Sequence, residues 1–216
     1  MTGLRKWDIQ QTSVISHIAT NSQNMANEIL RIYKKSARVI HPPVSIDDFP
    51  LAESQGQYYL TVSRLISHKR VDLAIEACNR LGKSLVVVGD GPERKHLESM
   101  AGDTIRFAGR VTDQELLNLY QDSIALIFPG EEDFGIVPIE AQACGKPVIA
   151  YGKGGIKETV QDGVTGIFFP QQNVDLLVDS LEKLPTMNFE ARTIRNWARN
   201  FDTTKFQHEI QDFVNG

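Results

Sequence analysis

The stretch IALIFPGEEDFGIVPIEA at residues 124–141 decides the fold. Its first five residues form an unbroken apolar run, which is typical of a parallel strand covered by helices on both faces. Pro129 and Gly130 end the run, and residues 137–144 have the length and composition of a helix. The stretch therefore predicts a strand, a loop and a helix in succession, which is the repeating unit of an α/β protein.

The same alternation continues on both sides of this stretch. Strands are predicted at residues 37–40, 58–62, 84–88, 104–107, 124–128, 147–150 and 166–169, and helices at 71–81, 113–120, 137–144 and 174–184. Right-handed crossovers between parallel strands place helices on both faces of a sheet. We therefore predict the α/β class, with a Rossmann-like parallel sheet between two layers of helices.

The chain divides into an N-terminal segment, a proline-containing linker, a main domain and two C-terminal helices, predicted at residues 1–42, 43–56, 57–188 and 189–216. The N-terminal segment holds a predicted strand at 14–19, a helix at 22–33 and the strand at 37–40. A unit of this size cannot bury its own apolar faces well. We therefore expect it to be the tail of a preceding domain.

Composition and charge exclude several classes of protein. The net charge is −4, from 23 Lys+Arg against 27 Asp+Glu, which argues against a nucleic-acid binder with its basic stripe. Cys78 and Cys144 both fall in or beside predicted helices and fit free thiols in a reducing cytoplasm. No apolar run approaches the ~18 residues of a membrane span, and the first residues lack the core of a signal peptide. We expect a cytoplasmic protein whose membrane contact, where there is any, is peripheral.

A basic loop at residues 63–70 follows the predicted strand YYLTV. Ligands of open parallel sheets sit at the carboxyl ends of the strands, so Arg64 and Lys69 are candidate phosphate ligands. Arginine can fork two phosphate oxygens, and lysine adds a compact charge. Taken alone, the run is also compatible with a solvated basic loop.

The loop after residue 128 is the second candidate site. Gly135 has no side chain, so a ligand can approach the backbone, and the N–H groups of Gly135, Ile136 and Val137 would face an anion at the helix start. Glu132 and Glu140 are acceptors suited to sugar hydroxyls on either side of a diphosphate. Acidic residues are also common in a first helical turn, which is an alternative explanation of Glu140.

Two glycine turns complete the pattern. The run GKGGIKE at 152–158 could cradle a phosphate or allow close helix packing, and GDGPE at 89–93 ends another strand. Neither run supplies the three spaced glycines of the dinucleotide fingerprint. A dehydrogenase-type Rossmann domain is therefore disfavoured.

Five motifs together carry a resemblance. They are Arg64 with Lys69, GDGPE at 89–93, FAGRV at 107–111, EDFGIVPIE at 132–140 and GGIKE at 154–158. In this order and spacing the chain resembles the retaining GT-B glycosyltransferases called group 1 or family 4, over most of its length. It departs from the family pattern at Ser63, where glycine is usual, and at Arg70, where glycine is common.

The resemblance implies a role for each matching residue. Arg64 and Lys69 would hold the diphosphate and neutralise it as it leaves, and Glu132 would accept bonds from the transferred sugar. The backbone amides of Phe134, Gly135, Ile136 and Val137 would contact the sugar and phosphate of the donor. Glu140 would bind its ribose, and the Arg110–Val111 loop would contact its base. The absence of an Asp-x-Asp pair fits chemistry that needs no metal and no further cofactor.

The resemblance also implies what the chain lacks. A GT-B enzyme has an N-terminal acceptor domain, which here would come from elsewhere or from a partner chain, so the isolated chain is expected to be inactive or weakly active. The donor is expected to be GDP-mannose first and a UDP-sugar second, and the acceptor is expected to be membrane-associated at the inner face. The alternative is a non-catalytic nucleotide-sugar-binding module completed by a partner.

Overall fold

The computed structural model describes residues 2–12, 14–53 and 56–216. The strands are β1 Ala19–Thr20, β2 Arg38–Val39, β3 Tyr58–Val62, β4 Leu85–Val88, β5 Ile105–Gly109, β6 Ser123–Phe128, β7 Val148–Tyr151 and β8 Gly166–Phe169. The α-helices are α1 Thr2–Thr12, α2 Gln23–Tyr33, α3 Val71–Leu81, α4 Arg94–Met100, α5 Asp113–Gln121, α6 Ile136–Ala143, α7 Ile156–Thr159, α8 Val174–Lys183, α9 Ala191–Ala198 and α10 Thr203–Asn215. Within these ranges, no helix is long and apolar enough to cross a membrane.

A parallel sheet of β3 to β8 forms the centre of the molecule. Its strand order is β5-β4-β3-β6-β7-β8, and every neighbouring pair is parallel. The chain runs outward from β3 to β5, then returns to the other side of β3 and runs outward again from β6 to β8. The order therefore reverses between β3 and β6, where open α/β sheets bind their ligands at the carboxyl ends of the strands.

Helices cover both faces of this sheet, as the continuous apolar runs predict. Strand β4 shows why, because Leu85 and Val87 pack into the cluster under α3, α4 and α8, whereas Val86 and Val88 pack into the cluster under α5 and α6. All four of these residues are buried. A strand with two apolar faces requires two layers of helices, so the predicted fold class is confirmed.

Helix α5 begins at Asp113, the residue at which the sequence predicts its start. Thr112, not Asp113, caps α5, because the Thr112 side chain accepts from the Glu115 N–H while the Glu115 carboxylate accepts from the Thr112 N–H. This reciprocal pair satisfies two helix-end donors that would otherwise lack partners. The sequence also suggests Asp113 as the capping residue of this helix, and that expectation was wrong.

The N-terminal segment differs from its prediction at the first strand. Strand β1 is only Ala19–Thr20, not residues 14–19, because the parallel partner β2 offers just Arg38 and Val39. Helix α1 was not predicted, since its sequence is mostly polar. Residues 1 and 13 of the predicted segment lie outside the described residues, and the boundary at residue 42 stays a prediction.

The predicted linker packs onto the rest of the chain in its described part. Ile46 is fully buried in a 3-10 turn at Ile46–Asp48, and the Val44 N–H donates to the Phe201 carbonyl at 2.9 Å. Residues 54 and 55 of this linker lie outside the described residues. Residues 43–53 therefore run along α6 and the C-terminal helices and form one wall beside the sheet's ligand-binding edge.

Candidate functional site

The loops that follow β3 and β6 meet around a cavity of about 450 Å³ at the carboxyl edge of the sheet. Its walls come from both loops and from the N-terminal segment: Asn21, Pro42, Val62, Ser63, Arg64, Lys69, Phe128, Glu132, Asp133, Phe134, Gly135, Ile136 and Val137. Most residues that the sequence singled out are thus brought together. The cavity lies at the point where the strand order reverses.

The loop after β3 is held from the outside by the glycine turn after β4. The Ser63 N–H donates to the Val88 carbonyl at 3.1 Å, and the Leu65 N–H donates to the Asp90 carbonyl at 3.0 Å. A Cβ on Gly89 would lie 1.9 Å from the Ser63 carbonyl oxygen, so only glycine permits this approach. The GDGPE motif therefore supports the backbone that carries the candidate phosphate ligands.

The loop after β6 is held in the same way by the turn after β7. The Gly155 N–H donates to the Glu132 carbonyl at 2.8 Å. A Cβ on Gly155 would lie 1.9 Å from the Asp133 carbonyl oxygen, and one on Gly154 would lie 2.5 Å from the Glu132 carbonyl oxygen. The structure shows the GKGGIKE run packed closely against this loop and not against a helix, and its expected role as a phosphate cradle stays a prediction.

Helix α6 begins at Ile136, with Gly135 as its N-cap at φ 98°. Pro138 is therefore the third helical residue, not the first, and Glu140 lies in the second turn. The sequence favours Pro138 at the first helical position, because proline lacks an N–H, and Glu140 in the first turn, so both of these expectations were wrong. The N–H groups of Ile136 and Val137 have no intrahelical acceptor, because the first turn of a helix leaves its donors unpaired, and they lie at the positive end of the helix dipole.

A cation and a carboxylate already meet across the cavity. Lys69 Nζ is in close ion-pair contact with Glu132 Oε1, and both side chains are mostly buried. Burial lowers the pKa of the Lys69 ammonium, while the neighbouring Asp133 carboxylate opposes that shift. Arg64 is exposed at the cavity rim, and in the part of the chain that the structure describes it forms no ion pair.

Glu140 lines a neighbouring cavity of about 400 Å³, which shares Ile136 with the first one. The Tyr120 hydroxyl donates to Glu140 Oε2 at 2.7 Å. Burial raises the pKa of Glu140, and the Tyr120 hydrogen bond partly opposes that rise. Both cavities are therefore lined by Ile136, the first residue of α6.

Val111 does not line either of these cavities. It packs against the apolar cluster that contains Val88, whereas its neighbour Arg110 lines a third cavity of about 490 Å³ with Arg64 and Val137. Of the Arg110–Val111 loop, Arg110 is therefore the side chain that faces the open space. The role of the loop stays a prediction.

Sequence reasoning missed the contact between the N-terminal segment and the site. Glu158 accepts from the N–H groups of Gln23 and Asn24 at 2.8 and 3.0 Å, and His41 Nε2 lies 3.1 Å from the same carboxylate. The His41 ring stacks on Phe134 at 5.3 Å. The glutamate of GGIKE was visible as a motif residue, but partners more than a hundred residues away leave no local signal.

Comparison with known families identifies the architecture. The family model described as "Glycosyl transferases group 1" matches residues 43–201. A D-inositol 3-phosphate glycosyltransferase of Streptomyces bingchenggensis is 32% identical over 199 residues, covering 76% of this chain and 44% of that protein. The protein of the same description from Mycobacterium leprae is 29% identical, with the same coverage. The chain thus spans somewhat under half the length of these curated relatives.

Solved structures agree on the fold. A sucrose-phosphate synthase from Thermosynechococcus elongatus superposes with a TM-score of 0.88 at 21% identity, over 100% of this chain and 61% of that one. Anabaena Alr3699/HepE in complex with UDP and glucose superposes with a TM-score of 0.84 at 20% identity, over 98% and 66%. The chain therefore belongs to the group 1 glycosyltransferase family and has the fold of one half of a GT-B enzyme.

Proposed function

We propose that the chain binds the nucleoside-diphosphate sugar donor of a retaining hexosyl transfer. The observation that carries the proposal is the cavity at the strand-order reversal, where Arg64 and Lys69 lie across from the first N–H groups of α6. An anion placed there meets two cations and the positive end of a helix dipole. A diphosphate is the part of a donor that such a site fits best.

The proposed chemistry follows from charge. A departing nucleoside diphosphate gains negative charge as the glycosidic bond to it breaks, so fixed cations stabilise the transition state more than the ground state. Arg64 and Lys69 take this role, and the Ile136 and Val137 amides add to it. This countercharge comes from the protein, so the proposal needs no metal or cofactor.

The two acidic residues contact hydroxyls in this proposal. Glu132 accepts bonds from the transferred sugar, and Glu140, one turn into α6, accepts them from the ribose. The pair between Lys69 and Glu132 opens when phosphate arrives, because the lysine then exchanges one anionic partner for another. The Phe134–Gly135 backbone lies between the two ends of the donor, and Val111 and Arg110 lie on the base side.

The donor is proposed to be a UDP-sugar ahead of GDP-mannose. The sequence favours GDP-mannose, but a solved structure of the same fold holds UDP and glucose. That neighbour is only 20% identical, so it guides the choice of ligands to test and no more. Mannosyl transfer remains the second form of the proposal.

The acceptor side is proposed to come from another half or from a partner chain. The chain covers 44% of its curated relative and 61% of its structural neighbour. We expect the isolated chain to transfer sugar weakly or not at all, and robust turnover by it would contradict this. The cytoplasmic location and the membrane-associated acceptor are supported by the sequence alone and belong to the same proposal.

Calorimetric titration with UDP, GDP and their sugar conjugates tests the proposal. Arg64→Ala is expected to weaken binding roughly 10- to 100-fold, the range of one lost charge-assisted hydrogen bond. Arg106→Ala is the matched control, because Arg106 is an exposed arginine on the edge strand β5 and lines none of the cavities described above. Absence of binding by every nucleotide, or equal binding by both variants, would refute the site.

A further inference from the structure

A buried tyrosine hydroxyl is directed at one of the candidate donor ligands. Tyr120 is fully buried near the end of α5, and its hydroxyl donates to Glu140 Oε2 on α6 at 2.7 Å. The Phe49 ring packs edge-on against the Tyr120 ring with centroids 6.0 Å apart. The phenol is therefore fixed by packing, and it restrains the carboxylate that it contacts.

The hydrogen bond makes the two carboxylate oxygens of Glu140 different from each other. Oε2 is taken by the tyrosine, whereas Oε1 has no hydrogen-bond partner among the residues that the structure describes. The same cavity wall carries Asp48 and Asp113, which are acceptors when ionised. The free oxygen thus calls for a donor that the ligand supplies, and a sugar hydroxyl is such a donor.

The position of this cavity fits a ribose. It adjoins the main cavity through Ile136, so a nucleotide whose phosphates lie beside the Ile136 and Val137 amides extends its sugar toward Glu140. A carboxylate accepts well from a hydroxyl when its rotamer is already fixed, because less conformational entropy is then lost on binding.

We infer that Tyr120 is a positioning residue for nucleotide recognition, whose hydroxyl holds Glu140 Oε2 so that Oε1 accepts a hydrogen bond from a ribose hydroxyl. This inference rests on the proposed function. Tyr120 itself does not touch the ligand. Its contribution appears only with ligands that carry the ribose hydroxyls.

The test compares a nucleoside diphosphate with its 2′,3′-dideoxy analogue by calorimetry, using whichever of UDP or GDP binds the wild-type chain. The wild type is expected to prefer the ribonucleotide. Tyr120→Phe is expected to reduce that preference roughly 3- to 10-fold, less than the loss of a whole hydrogen bond to a carboxylate, because Glu140 remains and only its restraint is lost, while binding of the dideoxy analogue stays unchanged. A purely structural defect would instead weaken both ligands together.

Two further variants make the test decisive. Tyr58→Phe is the matched control, because the Tyr58 hydroxyl donates to the Leu119 carbonyl at 3.2 Å and not to Glu140, so the preference should persist. Glu140→Asp shortens the side chain away from Tyr120 and should lose the preference even if Tyr120→Phe fails to fold.

The outcomes separate this inference from the proposed function. Failure of the wild type to bind any nucleotide overturns the proposed function. Wild-type binding with no ribose preference, or a full preference retained in Tyr120→Phe or Glu140→Asp, overturns the role of Tyr120 while leaving the diphosphate site intact.

Discussion

The loop after β3 and the loop after β6 face each other across one cavity but use different parts of the chain. The β3 loop contributes side-chain cations, Arg64 and Lys69, on a backbone that makes a 3-10 turn. The β6 loop contributes carboxylates and the free N–H groups of a helix start. The β3 loop thus supplies positive charge from side chains, whereas the β6 loop supplies hydrogen-bond donors from the backbone and negative charge from side chains.

Both loops nevertheless depend on the same kind of support. Gly89 follows β4, the outer neighbour of β3, and Gly155 follows β7, the outer neighbour of β6. Each glycine approaches a carbonyl of its loop so closely that a Cβ would lie 1.9 Å away. Each site loop is therefore supported by a glycine that follows the neighbouring outer strand, and we call these two contacts the braces. The support is alike for both loops, whereas the polar groups that they present to the cavity differ.

The largest expected effect comes from removing one brace. Gly155 has φ −70°, which alanine adopts freely, so Gly155→Ala tests the steric contact with the Asp133 carbonyl alone. We expect a loss of about 2–3 kcal/mol in the free energy of unfolding, measured by urea denaturation, because the backbone must move to admit the methyl group. Gly89→Ala should cost more, since Gly89 also has φ 122°.

Gly3→Ala is the control for this pair. A Cβ at Gly3 would have nothing within 4 Å, and helix propensity favours alanine there. An unchanged urea midpoint for Gly155→Ala would show that the β6 loop yields easily, and the symmetry of the two braces would then be lost.

A smaller effect is expected at the contact between the two loops. Lys69 is paired with Glu132 across the main cavity, so Glu132→Gln is expected to release the lysine for the proposed phosphate. We expect the affinity for UDP, measured by calorimetry, to rise roughly 2- to 5-fold, the range of one partly exposed ion pair. The sugar conjugate should gain less, because in the proposed function Glu132 is also the acceptor for the sugar hydroxyls.

The control for Glu132→Gln is Glu131→Gln. Glu131 is paired with Lys153 at 3.1 Å and is not among the residues that line the main cavity, so its removal should leave UDP binding unchanged. A weaker affinity in Glu132→Gln would mean that the carboxylate positions Lys69 for the ligand and does not compete with it.

The sequence predicts the sheet and loops that form this site better than the hydrogen bonds between its side chains. The apolar run at β4 and the turn signals after each strand are local, so they predicted the sheet and the edge where ligands bind. The bond between Tyr120 and Glu140, by contrast, depends on how α5 and α6 pack, and no periodicity records it. The length of β1 could not be predicted for the same reason, because it is set by pairing with the two residues of β2.

Two departures from the family pattern have local surroundings that only the structure shows. Arg70 has φ 52°, the left-handed region that favours glycine, and its guanidinium makes hydrogen bonds to both carboxylate oxygens of Asp72, the nearest at 2.9 Å. The Ser63 hydroxyl is buried without a hydrogen-bond partner within the described residues. The sequence indicates both positions as unusual, but the backbone angle at Arg70 and the burial of the Ser63 hydroxyl are three-dimensional features.

The smallest expected effect concerns the contribution of Glu140, in α6, to the free energy of unfolding. Burial raises the pKa of Glu140 above its ordinary 4.5, so the native state favours the protonated carboxyl. Its contribution to folding is fully present below pH 4.5 and is lost as pH rises through the raised pKa. Glu140→Gln cannot ionise, so it should raise the free energy of unfolding by about 0.5–1 kcal/mol at pH 7. Urea denaturation measures this difference, which should vanish near pH 4.

The control is Glu115→Gln, for which the expected change in stability at pH 7 has the opposite sign. Hydrogen bonds from Thr112 lower the pKa of Glu115, so its stabilising contribution is present above pH 4.5 and is lost as pH falls through the lowered pKa. Glu115→Gln should therefore be less stable than wild type at pH 7 and approach it in acid. A Glu140→Gln variant that also loses stability at pH 7 would show that the Tyr120 hydrogen bond outweighs the cost of burying the Glu140 carboxylate.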